Sequence, residues 1–130
     1  MVQLYKDKER EIVNEELFDD YARQTAKKLV DLGLPNSQFR KFFGELRALE
    51  ARIRAQGNDD AAVAKEKPYM KLLLAKIHYQ QRDRRKIEAY KALEEFLREL
   101  INQVEDRKDF DVLMDAVQAV LAYYSPRARG

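Results

Sequence analysis

Between Glu15 and Tyr124 apolar side chains return every three or four residues in five long runs, and little interrupts them. That period puts them on one side of an α-helix and does not suit the alternation of a strand. Glycine and proline, the residues that end helices, number four and three in 130 residues, and most of them fall between the runs. The pattern therefore predicts an all-α fold, a compact bundle of about five main helices. With 45% hydrophobic residues the chain can close one modest core.

The first run, about Glu15 to Leu32, carries Phe18, Tyr21, Ala22, Thr25, Leu29 and Leu32 at helical spacing, with Gly33 as its stop and Pro35 just beyond. Asn36 or Ser37 can cap the second, whose stripe is Phe39, Phe42, Phe43, Leu46, Leu49 and Ile53, and Gly57 ends it. A polar connector, Asn58 to Lys67, has room for one helical turn at Ala61 to Ala64. Pro68 then suits the first turn of a third helix with Tyr69, Met70, Leu72, Leu73, Leu74 and Ile77 as its apolar content. Arg82 to Lys86 reads as a turn or as unbroken helix. A fourth helix follows from Ile87 to Val104, and a fifth from Asp109 to Tyr124 has apolar residues on two sides. Residues 1–14 form an N-terminal arm, loosely held or leading into the first helix; 15–124 form a single helical bundle domain. Residues 125–130 are a basic C-terminal tail with Arg127 and Arg129.

Charge is distributed unevenly. The net value is only +2, but residues 36–56 carry five basic and two acidic side chains, residues 65–86 eight and two, and residues 88–115 four and nine. A basic middle followed by an acidic stretch lets such a molecule present one cationic face. There are no cysteines, so a disulfide framework and a thiolate metal site are excluded. No apolar run approaches the roughly 18 residues that span a bilayer. The charged first residues do not resemble a signal peptide, and the expected setting is cytoplasmic.

No enzyme template fits. One histidine, His78, cannot build a two-histidine zinc motif, and the glycines stand isolated at 33, 44, 57 and 130, so no phosphate loop exists. Adjacent carboxylates such as Asp19/Asp20 and Glu94/Glu95 point about 100° apart on a helix and do not converge. No catalytic residue, metal site or cofactor is expected.

The basic residues fall into order. Arg40, Arg47 and Arg54 are seven apart, a spacing that drifts only about 20° per step, with the small Gly44 and Ala51 between them and Lys41 and Arg52 flanking. A phosphate backbone could lie close against such a row while the guanidinium forks take its oxygens. Pairing of these arginines with Glu45 and Glu50 is the plainer alternative. On the third helix Lys67, Lys71, Ala75, His78 and Arg82 share a side, and Arg84, Arg85 and Lys86 continue the charge. Tyr79 offers a stacking ring or a core side chain. Five of the six phenylalanines, Phe39, Phe42, Phe43, Phe96 and Phe110, are at core spacing. Ala116, Ala119 and Ala122 suit either a close helix crossing or a subunit contact.

At "LGLPNSQFRKFFGELRALE", residues 32–50, and within it Ser37-Gln38-Phe39-Arg40-Lys41-Phe42, the chain resembles the small subunit of type III-A CRISPR effector complexes, the Csm complexes. "KIHYQQRD" at 76–83 and "FDVLMDAVQAVLAYY" at 110–124 are similar to further family segments. The resemblance covers about residues 16–124. It implies a helical, non-catalytic subunit that assembles in several copies along a crRNA and target RNA filament, with target RNA, the crRNA-containing ribonucleoprotein and other Csm subunits as partners. Self-association in that filament is implied, a homodimer of the isolated protein is left open, and no membrane is involved. Arg40 and Lys41 sit on the matched motif, and Arg82 is a looser transfer. Arg47, Arg54, Lys71, Arg84, Arg85 and Lys86 join the expected RNA-binding set by facing and charge alone. The rivals are a helical protein adaptor with no RNA role, the equivalent subunit of a type III-B complex, and a small hydrolase whose site forms only on oligomerisation.

Overall fold

A computed structural model describes residues 1–128, so Arg129 of the expected tail lies outside the described residues. Five helices carry the fold: α1 (Asp20–Asp31), α2 (Asn36–Ala55), α3 (Asp60–Tyr79), α4 (Ile87–Ile101) and α5 (Arg107–Tyr124). α5 packs against α1, α2, α3 and α4, while α3 lies between α2 and α4. Burial on several sides explains why α5 is apolar nearly all round: Phe110, Val112, Leu113, Met114, Ala116, Val117, Val120 and Tyr124 are all in the core. Of its small residues Ala116 is buried in the bundle, whereas Ala122 is exposed.

The first fourteen residues are neither loose nor helical. Tyr5–Asp7 (β1) pairs antiparallel with Ile12–Val13 (β2), and the turn between them holds Glu11 at φ 58°. The strands are too short to stand alone. The segment is held by α4 and the connection that follows it: the Val2 N–H donates to Glu99 at 2.5 Å, the Leu4 N–H to Gln103 at 3.1 Å, and the Gln103 amide back to the Val2 carbonyl at 2.7 Å. Leu4 is buried in the common core. Alternating charges hid this segment, because its partners are a hundred residues away.

Helix starts also differ from expectation, each for a local reason. Glu15–Phe18 forms a 3₁₀ turn before α1. Pro35, not Asn36 or Ser37, occupies the N-cap of α2, its ring holding φ near −65°. α3 begins at Asp60 rather than Pro68, because the Asp59 carboxylate accepts the Ala62 N–H at 2.9 Å. Ala62, Val63 and Glu66 then bury against the bundle, so the helix runs through Pro68 despite the missing donor. Gln80–Arg82 is a 3₁₀ turn and Asp83 is extended, so the Arg82–Lys86 stretch is a turn.

The connections are short and neighbouring helices run antiparallel. One end of the bundle therefore collects the start of α2, the α3–α4 turn and the end of α5. The opposite end collects the α2–α3 and α4–α5 turns, where the Arg107 N–H donates to Asp60 at 2.9 Å.

Candidate nucleic-acid interface

The first of these ends is built around a rigid turn. The Leu34 N–H donates to the Leu29 carbonyl and the Gly33 N–H to that of Val30, both at 3.0 Å, which closes α1 with Gly33 at φ 78°. The buried Tyr124 hydroxyl donates to the Leu34 carbonyl and ties α5 to the same turn. Burial pushes that phenol up to about 12.

On this frame stand six of the nine residues singled out by charge and motif. Arg40 donates to the Ser125 hydroxyl at 3.1 Å, and Lys41 lies over the Phe42 ring at 5.6 Å. Arg82 lies over Tyr79 at 4.6 Å. Arg84 is exposed, Lys86 is half-buried, and the Arg85 side chain is 91% exposed, with only Asp83 at 3.7 Å to offset it. Arg127 joins them from the end of α5. Like charges on neighbouring elements repel one another, and among the described residues Asp83 is the one carboxylate that pairs with any of these six.

The other three residues do not join this group. Arg47 is engaged, bonded to Glu50 at 3.0 Å and Gln118 at 3.3 Å, with its guanidinium 4.8 Å from the Phe43 ring. Arg54 lies about 21 Å from Arg40 along α2, at 1.5 Å per residue. It borders a cavity of about 360 Å³ shared with Glu50, Asp111 and Asp115. Arg47 and Arg107 line it too, so its charge is mixed; burial, then the Asp111 and Glu50 charges, raise the Asp115 carboxyl above its usual range. Lys71 bonds to Asn102 near the far end of α4. The row of arginines on α2 is real, but it runs along the α5 seam, and Glu50 takes both Arg47 and Arg54. The space above Gly44 is open, as expected for a shallow surface.

Several side chains depart from their expected roles. Tyr79 is 62% exposed rather than core, and Tyr69 and Leu72 are exposed on the same outer stripe of α3. Phe43 is only partly buried. His78 lies 2.8 Å from Glu94, which also takes Arg98 at 2.9 Å. Burial alone would raise the Glu94 carboxyl, but its bonds to Arg98 and His78 hold it below the usual range. Lys67 is diverted to structure, donating to the Ile101 carbonyl at 2.7 Å and to that of Val104 where α4 ends.

The α2–α3 seam was not legible in sequence. There Arg52 pairs with the buried Glu66 at 3.0 Å and covers Tyr69 at 4.6 Å, while Lys76 pairs with Glu45 at 2.9 Å. In sequence Arg52 only flanks the arginine row; finding its partners requires the register of α2 on α3. Lys41, Lys76, Tyr79 and Gln80 line a shallow groove of about 460 Å³ along this seam, continuous with the cationic end.

A family model described as Csm2 Type III-A matches residues 13–128, most of the chain. No curated protein and no solved structure matches. Among the described residues no helix is long and apolar enough to cross a membrane.

Proposed function

The chain belongs to the Csm2 Type III-A family, the small subunit of the type III-A CRISPR Csm complex, and from that premise we propose that it holds target RNA by its phosphate backbone. It does so without catalysis, in several copies along the crRNA and target RNA filament and beside the other Csm subunits. The observation that carries this reading is the cationic end formed by Arg40, Lys41, Arg82, Arg84, Arg85 and Lys86, with Asp83 the carboxylate among them. Six cations on one surface neutralise phosphates whatever the sequence, and base pairing with the guide supplies specificity. Tyr79, exposed beside Arg82, adds a stacking surface for an unpaired base. Tyr69 and Leu72 favour a second duty for the outer stripe of α3, contact with a neighbouring subunit.

Fluorescence anisotropy on unrelated single-stranded RNAs tests the reading. Binding is expected to weaken steeply between about 50 and 200 mM salt. Lys41→Glu with Arg82→Glu is expected to lower affinity at least about tenfold, and Arg54→Glu with Lys71→Glu less than about threefold. Absence of RNA binding at low salt, both alone and in the assembled complex, would leave the protein-only adaptor as the better reading. Equal losses from the two pairs would remove the cationic end as the site.

A further inference from the structure

The cationic end contains a cavity of about 350 Å³, within the range of small-ligand sites. Val30, Leu34 and Pro35 make its floor apolar, while Lys86 and Arg127 reach it from two different elements. Neither cation has an ion-pair partner among the described residues. The nearby carboxylates are engaged elsewhere: Asp83 faces Arg85 at 3.7 Å and Asp31 holds Lys27 at 2.6 Å.

Lys86 is held over Gly33 so closely that a Cβ there would lie 3.0 Å from its ammonium. Unlike Arg84 and Arg85 it is half-buried. An ammonium drawn partly out of water with no carboxylate costs free energy that a bound anion recovers. The walls do not collapse onto the space, because the Gly33–Leu34 turn is closed by its own hydrogen bonds and by Tyr124.

From this arrangement we infer that the cavity binds one nucleoside phosphate, free or as a single unit of an RNA strand. The choice of a base-bearing anion rests on the RNA reading above; the paired cations and the apolar floor do not. The phosphate lies between the Lys86 ammonium and the Arg127 guanidinium, whose planar fork takes two oxygens at once. The flat, uncharged base lies on Val30 and Pro35, both partly exposed, where it removes apolar surface from water. Inorganic phosphate satisfies only half of such a site, and a nucleoside only the other half.

Amide NMR spectra of the full chain, titrated with uridine monophosphate, uridine and inorganic phosphate, test the inference. The monophosphate is expected to move the Gly33, Leu34 and Ala128 amides saturably, at least about tenfold more tightly than phosphate, with uridine weaker still. Lys86→Gln and Arg127→Gln are each expected to weaken it about tenfold with the circular dichroism spectrum unchanged. Arg127 is exposed beyond α5, so its variant keeps the test open if the Lys86 variant unfolds. Unmoved amides, equal affinity for phosphate and monophosphate, or an indifferent Arg127→Gln would each overturn the inference.

A short uridine oligomer and its abasic counterpart separate the two sources. Stronger shifts of these amides by the base-bearing strand assign the cavity to a strand unit, and shifts by the monophosphate alone assign it to a free nucleotide. If RNA binds through Lys41 and Arg82 while the monophosphate leaves the cavity unmoved, the cavity falls and the RNA reading stands. If the monophosphate binds there and no RNA binds at all, the reverse holds.

Discussion

Asp109 joins three parts of the molecule through one carboxylate. The residue is 1% exposed, yet it accepts the Glu105 N–H at 2.9 Å and the Asp106 N–H at 3.3 Å, completes the capping box of α5, and meets the Lys8 ammonium at 3.2 Å. Burial alone would raise its carboxyl; the Glu105 N–H and Lys8 outweigh that and hold it below the usual range. A depressed folded value means that the ionised group contributes stability above the ordinary carboxylate pKa of about 3.9, and that this is lost as pH falls below about 4. We expect Asp109→Ala to cost about 3 kcal/mol near pH 7, since it leaves buried donors unpaired, and clearly less near pH 3. Lys8→Ala is expected to cost under about 1 kcal/mol, because the Lys8 side chain is 49% exposed. Urea unfolding at both pH values measures these costs, and an Asp109→Ala cost that does not change with pH would contradict the ionised role.

Among the elements, α3 departs most from its sequence pattern. Pro68 marks a helix start by every local rule, yet Asp59 caps the helix earlier, and Ala62, Val63 and Glu66 gain enough from burial to carry it onward. The chain therefore carries a proline in an exposed helix interior, where it costs about 3 kcal/mol relative to alanine. Part of that is returned by a stiffer unfolded chain, about 0.4–1 kcal/mol. Pro68→Ala is accordingly expected to stabilise the protein by about 2 kcal/mol, seen as a higher urea midpoint at unchanged slope. An unchanged or lower midpoint would mean that the proline fits a backbone bend the core requires. The paired strands near the N-terminus illustrate the opposite limit. Val2 and Leu4 hold to Glu99 and Gln103, across a sequence separation no local pattern records.

At the scale of the whole molecule one core joins the N-terminal strands, α1 and the other helices: Leu4, Leu17, Leu29, Phe39, Leu74, Leu97 and Tyr124 belong to one cluster of buried residues. Thermal unfolding is expected to be a single cooperative transition, with far-ultraviolet dichroism and near-ultraviolet tyrosine signals coincident. An earlier tyrosine transition would show tertiary packing lost before the helices melt.

The helical class, the phenylalanine stripe of α2 and the alignment of Arg40, Arg47 and Arg54 follow from the 3.6-residue period, which depends on the backbone alone. So does the surplus of positive charge in the middle of the chain. What that period cannot carry is which ends of the helices meet, because antiparallel packing joins residues far apart in sequence. Arg40 meets Ser125 and Lys86 meets Gly33 only once α5 and the α3–α4 turn have docked. By the same docking Glu50 draws Arg47 and Arg54 into ion pairs, and Tyr79 is left facing water. The sequence by itself determined that the protein would be a helical bundle with cations to spare. The tertiary structure decided which of those cations are neutralised by carboxylates across a helix seam and which are left together at one end.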